Sequence, residues 1–167
     1  MFLDIGLAFV VGVSATKVDT NVGVKLWSDL TYTISKVPSF LQGSVLFQVA
    51  RWGTDSGTEI KVEGKKQASV YIAIDTANGR DGGFAKSLSQ QGWALMTGEV
   101  RYTDNGGSSY RLDNIWRKTL TDQTFVSFTT SKENLTHSIF VGKFVYKTHL
   151  RPPHNTLLTN LLSIFPI

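Results

Sequence analysis

A short loop rich in oxygen-bearing side chains is the first possible site in this sequence. Residues 68–75, ASVYIAID, are predicted to form a strand that ends at Asp75. Asn78 and Asp81 follow it, so the three residues are spaced at intervals of three. Carboxylate and amide oxygens suit Ca²⁺, but this spacing differs from the one-residue alternation of an EF-hand loop. Interspersed glycines are typical of turns. The loop is therefore a weak calcium site or, as we favour, a structural turn in which Asp75 bonds local backbone. We expect no other cofactor.

Aromatic side chains are the second possible site. A sugar ring can stack its C–H face on an aromatic plane while its hydroxyls bond to polar neighbours, and Tyr and Trp combine an apolar body with a polar tip. The same residues are common in the cores of β-sandwiches, so packing is the alternative for each. The candidates are Trp27, Trp52, Trp93, Trp116, Tyr32, Tyr71, Tyr102, Tyr110 and Tyr146.

Catalytic signatures are absent from the sequence. It contains no GxSxG, HExxH, Walker or GxGxxG motif. His149 and His154 flank Pro152-Pro153 and make at most a weak metal site, whereas His137 lies apart. Glycoside hydrolysis needs two facing carboxyl groups, and none of the 13 acids is singled out as one of a pair. The sequence therefore predicts no enzyme.

The elements that would position these residues are short β-strands. Apolar and other residues alternate with a period of two, and Gly, Asn and Asp separate the segments. The clearest alternation sets Val70, Ile72 and Ile74 against Tyr71, Ala73 and Asp75. We predict an all-β fold, an antiparallel, jelly-roll-like β-sandwich with at most one short helix.

Three local features can be placed on this pattern. Asp104-Asn105-Gly106-Gly107 separates two strand segments, and an Asn-Gly pair accepts the positive φ angles of tight hairpin turns. Residues 63–67, EGKKQ, are a weaker turn between strands. Residues 84–93, FAKSLSQQGW, are the helical candidate, which we expect to end before Gly92.

The chain divides into a leader, one domain and a tail. Residues 1–15 have an apolar run ending in Val13-Ser14-Ala15, which is typical of a cleaved signal peptide, although Asp4 replaces the usual basic start. The alternative is a first strand packed into the core. Residues 16–150 form the predicted β-sandwich domain, and 151–167 form an apolar tail, helical or extended. No stretch is long enough to span a membrane.

Charge and cysteine content limit the partners. The net charge of +4 becomes +5 if residues 1–15, with one acid and no base, are removed. Lys and Arg are scattered, so we expect no nucleic-acid partner, but an anionic glycan or another anionic surface fits. Without cysteines, a secreted form depends on its core rather than on disulfides for stability.

The sequon Asn134-Leu135-Thr136 is a candidate glycosylation site.

Several motifs together resemble a known family. Asp29, Tyr32, Val37-Pro38, Leu41-Gln42-Gly43, Val70-Tyr71-Ile72-Ala73-Ile74-Asp75, Gly92-Trp93, Thr97-Gly98 and Trp116-Arg117-Lys118 occur in this order. Over about residues 26–146, the chain resembles a β-sandwich accessory module of secreted polysaccharide-degrading and extracellular matrix proteins. The resemblance implies a non-catalytic module. Its motif positions give the candidate ligand-binding residues Asp29, Tyr32, Tyr71, Asp75, Trp93, Trp116 and Arg117.

Two positions depart from the family pattern. Leu30 stands where the family has Arg, and GFAKSL, residues 83–88, replaces a Pro-x-Trp-Leu stretch. We therefore expect first a secreted structural, self-assembling or adhesive component of an extracellular material, forming a homo-oligomer or larger assembly. A carbohydrate-binding module with exposed aromatics is the alternative. A polysaccharide hydrolase or lyase is the lesser alternative.

Overall fold

A computed structural model describes residues 8–51, 57–75, 82–121, 124–129 and 137–142. These residues form strands, a nine-residue helix and a 3-10 turn at Ser39–Leu41. In chain order the elements are β1 (Phe9–Val11), β2 (Thr16–Asp19), β3 (Thr33–Lys36), β4 (Val45–Gln48), β5 (Glu59–Glu63), β6 (Ser69–Ile74), α1 (Gly82–Gln90), β7 (Ala94–Met96), β8 (Val100–Thr103), β9 (Ser109–Leu112), β10 (Asn114–Thr119), β11 (Phe125–Thr129) and β12 (His137–Val141).

The described strands form three antiparallel sheets. The central sheet has the order β2-β4-β12-β6-β10-β7. The first outer sheet, β1-β5-β11, is called the β5 sheet below, and the second, β3-β8-β9, is called the β8 sheet. The pairings between neighbouring strands are antiparallel. The predicted all-β antiparallel sandwich with one short helix is therefore confirmed.

The sandwich has three layers because both faces of the central sheet are covered. Ile72 on β6 belongs to a buried cluster with Val62 of β5 and Phe128 of β11. Its neighbour Tyr71 points to the other side and belongs to a second cluster with Tyr102 of β8. The alternation predicted for residues 69–75 is thus confirmed, and each set of side chains faces a different outer sheet.

Burial of β6 on both faces explains its composition. Residues 70–74 are all buried, and the strand contains no charged side chain. A strand covered on both faces reads as a nearly continuous apolar run, whereas a strand with one wet face alternates with polar residues. Asp75, directly after β6, is the first residue of this run with a charge.

Helix α1 covers part of the core on the β5-sheet side. Phe84 and Leu88 lie four residues apart, so they share one face of the helix, and both are buried. The Phe84 ring lies 5.9 Å from that of Phe128. After the helix, Gly92 has a φ of +78°, a value that glycine adopts without strain. The helix predicted to end before Gly92 is confirmed, with its start at Gly82.

The hairpin predicted around residues 104–107 joins β8 to β9, but its turn differs from the expected one. Positive φ occurs at Gly107, at +80°, and not at Asn105 or Gly106. The N–H of Gly107 donates to the carbonyl of Asp104 at 3.1 Å, so one turn closes before the left-handed residue. A longer loop of this kind places its left-handed glycine last.

Two segments lead the chain from one sheet to another. Residues 63–67 connect β5 to β6, which belong to different sheets, and Gln67 has a φ of +67°. The run after the hairpin is interrupted at Asp113, where the chain passes from β9 in the β8 sheet to β10 in the central sheet. Such crossings connect the layers.

The N-terminal segment contributes β1 to the β5 sheet. Phe9 pairs with Glu63 and Val11 pairs with Lys61, and Ala8 is buried. Residues 1–7 and the tail 151–167 lie outside the described residues. Cleavage after Ala15 stays a prediction. Within the described part of the chain, no helix is long and apolar enough to cross a membrane.

Candidate functional site

Three tyrosine rings stack with one another at the β8 sheet. Tyr102 on β8 and Tyr110 on β9 are opposite each other in register, and Tyr32 directly precedes β3. Their ring centroids are 5.5–5.9 Å apart and their planes differ by 12–22°. Trp27 meets Tyr102 edge-on at 4.9 Å. We call Tyr32, Tyr102 and Tyr110 the tyrosine cluster.

The cluster runs from the core to the surface. Tyr102 is 1% exposed and Tyr110 is 42% exposed, with Tyr32 half-buried between them. Burial raises the pKa of Tyr102 to about 12, although the nearby Arg51 cation opposes this shift. The Arg51 guanidinium also lies 5.1 Å from the Trp27 ring and 5.4 Å from the Tyr32 ring. The rings below Tyr110 are therefore tightly held by packing.

Asp104 at the hairpin tip orients the exposed ring. Its Oδ1 accepts hydrogen bonds from the N–H groups of Gly106 and Ser108, each at 2.9 Å. The Tyr110 hydroxyl donates to its Oδ2 at 3.1 Å. This hydrogen bond to a carboxylate raises the pKa of Tyr110 above its ordinary value. The ring is thus fixed at both its face and its hydroxyl.

An open pocket of about 440 Å³ lies beside Tyr110. Asp75, Arg101, Ser109, Tyr110 and Arg111 line it, and we call it the edge pocket. Three of these residues are consecutive on β9, which pairs only with β8 among the described strands. The pocket therefore lies along the edge of the β8 sheet. Its lining combines Tyr110 from the inner face of the β8 sheet, Arg101, Ser109 and Arg111 from the outer face, and Asp75 from the end of β6.

The two pocket arginines are directly opposite each other on β8 and β9. Arg101 donates through Nε to Glu99 at 2.6 Å, and Arg111 donates through Nε to Asp113 at 3.1 Å. Lys36 also contacts Glu99, at 3.3 Å. The hydrogen bond from Arg101 is the main reason that the pKa of Glu99 is lowered. A guanidinium bonded through Nε still carries four N–H groups on its two Nη atoms.

Two of the sequence-predicted ligand residues belong to this site. Tyr32 is in the tyrosine cluster, and Asp75 lines the edge pocket. Asp29 is exposed, and its Oδ1 accepts a hydrogen bond of 2.9 Å from the backbone N–H of Arg51. Asp29 therefore contacts a residue whose side chain lies over the Tyr32 ring. Arg117 is exposed on the central sheet opposite Tyr71.

The other predicted aromatics are core residues. Tyr71 is buried and stacks on Phe40 at 5.6 Å. Trp93 and Trp116 are buried in the cluster on the opposite face of the central sheet, away from the tyrosine cluster. These three rings are therefore packed in the core rather than exposed to a ligand. Trp52 and Tyr146 lie outside the described residues.

The calcium hypothesis depends on residues that are only partly described. Asp75 is half-buried at the pocket, whereas Asn78 and Asp81 lie outside the described residues, as do His149, His154 and Asn134. Within the described ranges, no group of three His, Cys, Asp or Glu side chains is placed to hold a metal ion. The calcium site and the glycosylation site remain predictions.

Sequence reasoning missed Arg101, Arg111, Lys36 and Asp104. The hairpin was predicted but its register was not, and this register pairs Thr103 with Ser109 and puts Arg101 opposite Arg111. Nothing in the sequence pairs Lys36 with Arg101, which lies 65 positions later.

Comparison with known proteins supports the fold. No protein-family model matches the chain, and no curated protein matches it. A solved structure described as a β-glucuronidase from glycoside hydrolase family 2 is similar, with a TM-score of 0.56 and 12% sequence identity. The match covers 84% of this chain but 14% of that chain. The β-sandwich expected from the motif resemblance is therefore found in a known structure, as one part of a much longer protein.

Proposed function

We propose that the chain is an extracellular, non-enzymatic carbohydrate-binding module whose site is the edge pocket. The observation that carries this proposal is the exposed Tyr110 ring, which borders a pocket containing Asp75, Arg101, Ser109 and Arg111. Sugar recognition needs an aromatic plane next to hydrogen-bonding side chains, and these residues supply both. The exposed-aromatic alternative from the sequence is thereby favoured over the structural one.

Preorganisation strengthens the case for Tyr110 as a stacking platform. Tyr102 and Tyr32 stack with the ring, and Asp104 holds its hydroxyl. Ordering a side chain at an interface costs about 0.5–1.5 kcal/mol, and a ring that is already ordered avoids much of this cost. A sugar can therefore stack on Tyr110 with little rearrangement.

The proposal includes no catalysis. Glycoside hydrolysis by acid and base requires two carboxyl groups roughly 5–10 Å apart that flank the bond to be cleaved. Among the described residues lining the edge pocket, Asp75 is the single carboxylate. Asp75 is therefore assigned to hydrogen bonding with ligand hydroxyls.

The similar solved structure gives further support of a general kind. It is described as a glycoside hydrolase, so a sandwich of this shape occurs within a protein that acts on sugars. Because the chain spans 14% of that protein, the hydrolase activity is not transferred to it.

Binding to a panel of immobilised polysaccharides tests the proposal. We expect wild-type protein to bind at least one polysaccharide and Tyr110→Ala to lose about tenfold or more in affinity, since stacking contributes about 1–3 kcal/mol in comparable aromatic contacts. Phe125→Ala is the matched control, because Phe125 is also exposed but lies on the β5 sheet. Equal loss in both variants, or no binding to any polysaccharide, would overturn the proposal.

A structural, self-assembling role is the second candidate, and one surface favours it. In a chain that keeps residues 8–15, Phe9 and Phe125 both pair with Glu63, so they lie on the same outer face of the β5 sheet, and Val11 is exposed beside them. Within the described residues, β1 and β11 are the outer strands of this sheet. Exposed apolar side chains and free strand edges favour association between copies. Native mass spectrometry of wild type and Phe125→Asp tests this role, which predicts assemblies that the substitution dissociates.

A further inference from the structure

Three cations are aligned in register across the outer face of the β8 sheet. Lys36 of β3 is opposite Arg101 of β8, and Arg101 is opposite Arg111 of β9. A register shift between Ile34 and Lys36 brings Lys36, rather than Ser35, into this alignment. Neighbouring strands are about 4.8 Å apart, so the row extends for roughly 10 Å. We call these residues the cation row.

Hydroxyl groups form a parallel row two residues further along β8. Thr33 is opposite Thr103, and Thr103 is opposite Ser109. The Oγ1 atoms of Thr33 and Thr103 are 3.5 Å apart. Because residues i and i+2 of a strand share a face, Arg101 and Thr103 point to the same side of the sheet. The outer face therefore offers cations and hydroxyls in adjacent rows.

Among the described residues, the carboxylates that contact the cation row neutralise it only in part. Glu99 contacts Lys36 and Arg101, and Asp113 contacts Arg111, so three cations meet two carboxylates. The side chains of all three cations are at least half exposed, whereas the two carboxylates are largely covered. An approaching ligand thus meets the cations first.

We propose that the ligand is an acidic polysaccharide that lies in the edge pocket and continues along the cation row. This inference rests on the proposed carbohydrate-binding function and specifies its ligand class. Arg101 and Arg111 line the pocket from the outer face of the β8 sheet, whereas the Tyr110 ring stacks on Tyr102 at the inner face. A chain stacked on Tyr110 therefore passes around the β9 edge to reach the cation row. Guanidinium groups bind carboxylates through paired hydrogen bonds, and sugar hydroxyls bond to Thr33, Thr103 and Ser109.

The charge density selects an acidic polysaccharide over a nucleic acid. Double-stranded DNA carries about one charge per 1.7 Å of its axis, and its binding needs several uncompensated cations. The row has one cation per strand, and Glu99 and Asp113 lie among them. A polysaccharide with one carboxylate per sugar residue matches this wide spacing. The adjacent hydroxyl row suits its neutral groups.

A polyuronate and its carboxyl-reduced, neutral counterpart provide the test. The full chain is titrated with each polymer, as wild type, as Arg101→Gln/Arg111→Gln and as the control Lys65→Gln/Lys66→Gln. The control removes the same charge at the exposed turn that precedes β6. We expect wild type to favour the polyuronate by about tenfold or more, since charge-assisted hydrogen bonds are roughly twice as strong as neutral ones. The arginine variant loses this preference and the control keeps it.

Each result distinguishes the two proposals. Equal binding of both polymers by wild type overturns the acidic-ligand inference and leaves the carbohydrate-binding function intact. If wild type binds neither polymer, the acidic-ligand inference is overturned. The panel of immobilised polysaccharides then tests separately whether the chain binds any carbohydrate. Equal loss in the arginine variant and the control also overturns it, because net charge alone would explain such a loss. If the double arginine variant does not fold, Lys36→Gln is used, and it must reduce polyuronate binding while neutral binding stays unchanged.

Discussion

The hydroxyl of Tyr110 donates a hydrogen bond of 3.1 Å to Oδ2 of Asp104, across the tip of the β8–β9 hairpin. The other oxygen of the same carboxylate accepts from the backbone N–H groups of Gly106 and Ser108. One aspartate therefore both closes the turn and orients the exposed ring. Local turn chemistry is coupled in this way to the surface proposed to bind sugar.

Asp104→Asn should lower the pKa of Tyr110 toward its ordinary value. The amide oxygen can still accept the backbone N–H groups, but the negative charge and the acceptor at Oδ2 are lost. Ultraviolet titration of tyrosinate measures the change, and Tyr110→Phe identifies which titration step belongs to this residue. An unchanged titration in Asp104→Asn would show that the hydrogen bond does not control this hydroxyl. We also expect a severalfold weaker polysaccharide affinity, because the ring is less well held.

Burial of Tyr102 should make the protein sensitive to alkaline pH. Its pKa is raised to about 12 in the folded chain, above the ordinary value of 10.0. Between these values the unfolded chain loses the proton and the folded chain keeps it, so the free energy of unfolding falls as pH rises from about 10 to 12. Urea unfolding at several pH values should show a shallower fall for Tyr102→Phe. An identical fall in both proteins would assign the alkaline sensitivity to other groups.

Glu99→Gln should strengthen binding to a polyuronate. The substitution removes a carboxylate that contacts Lys36 and Arg101, and it leaves both cations in place. We expect a severalfold higher affinity at low ionic strength and a smaller gain in high salt, because salt screens exposed charges. Glu63→Gln on the β5 sheet is a control that changes the net charge equally. Equal gains in the two variants would contradict a local effect at the cation row.

Truncation on either face of the central sheet should be strongly destabilising. Ile72 packs toward the β5 sheet and Phe140 toward the β8 sheet, and both are fully buried. Ile72→Ala should lower the free energy of unfolding by about 2–5 kcal/mol, and Phe140→Ala by about 3–5 kcal/mol. Ser35→Ala, on the exposed face of the β8 sheet, should change it by less than about 0.5 kcal/mol. A small effect at one of the two buried positions would mean that its layer is loosely packed.

When the full chain is expressed in a secreting host, we expect the intact mass of the exported protein to correspond to a chain that starts at Thr16. This follows from the small residues Val13-Ser14-Ala15 at the end of the apolar leader. A chain that retains residues 8–15 would instead keep β1 paired with β5. In that case Gly12→Ala should destabilise the protein, since Gly12 has a φ of +97° and an added Cβ would meet the carbonyl of Glu59. No effect of this substitution on a retained leader would contradict the pairing.

Much of the fold was predictable because it depends on local periodicity. Val70, Ile72 and Ile74 alternate with Tyr71 and Ala73, and a strand projects successive side chains to opposite faces. The same holds for α1, where Phe84 and Leu88 recur at helical spacing. The candidate site was less predictable, because residue type alone does not show whether an aromatic side chain is exposed or buried. Trp93 is buried and Tyr110 is exposed because of the segments that pack around each ring.

The sequence by itself determined the β-class, the helix and the presence of a hairpin around residues 104–107. The register that sets Tyr102 opposite Tyr110 and Arg101 opposite Arg111 depends on the turn that forms, whose left-handed residue is Gly107. A two-residue turn at Asn105-Gly106 would have paired Thr103 with Ser108 instead of Ser109, so the turn chemistry read from the sequence did not define this register. Only the tertiary structure decided that Lys36 completes the cation row and that Asp75 meets Tyr110 at the pocket. The physical reason is that strand alternation defines two faces without specifying the sheet that will cover each one. That choice depends on packing between distant segments.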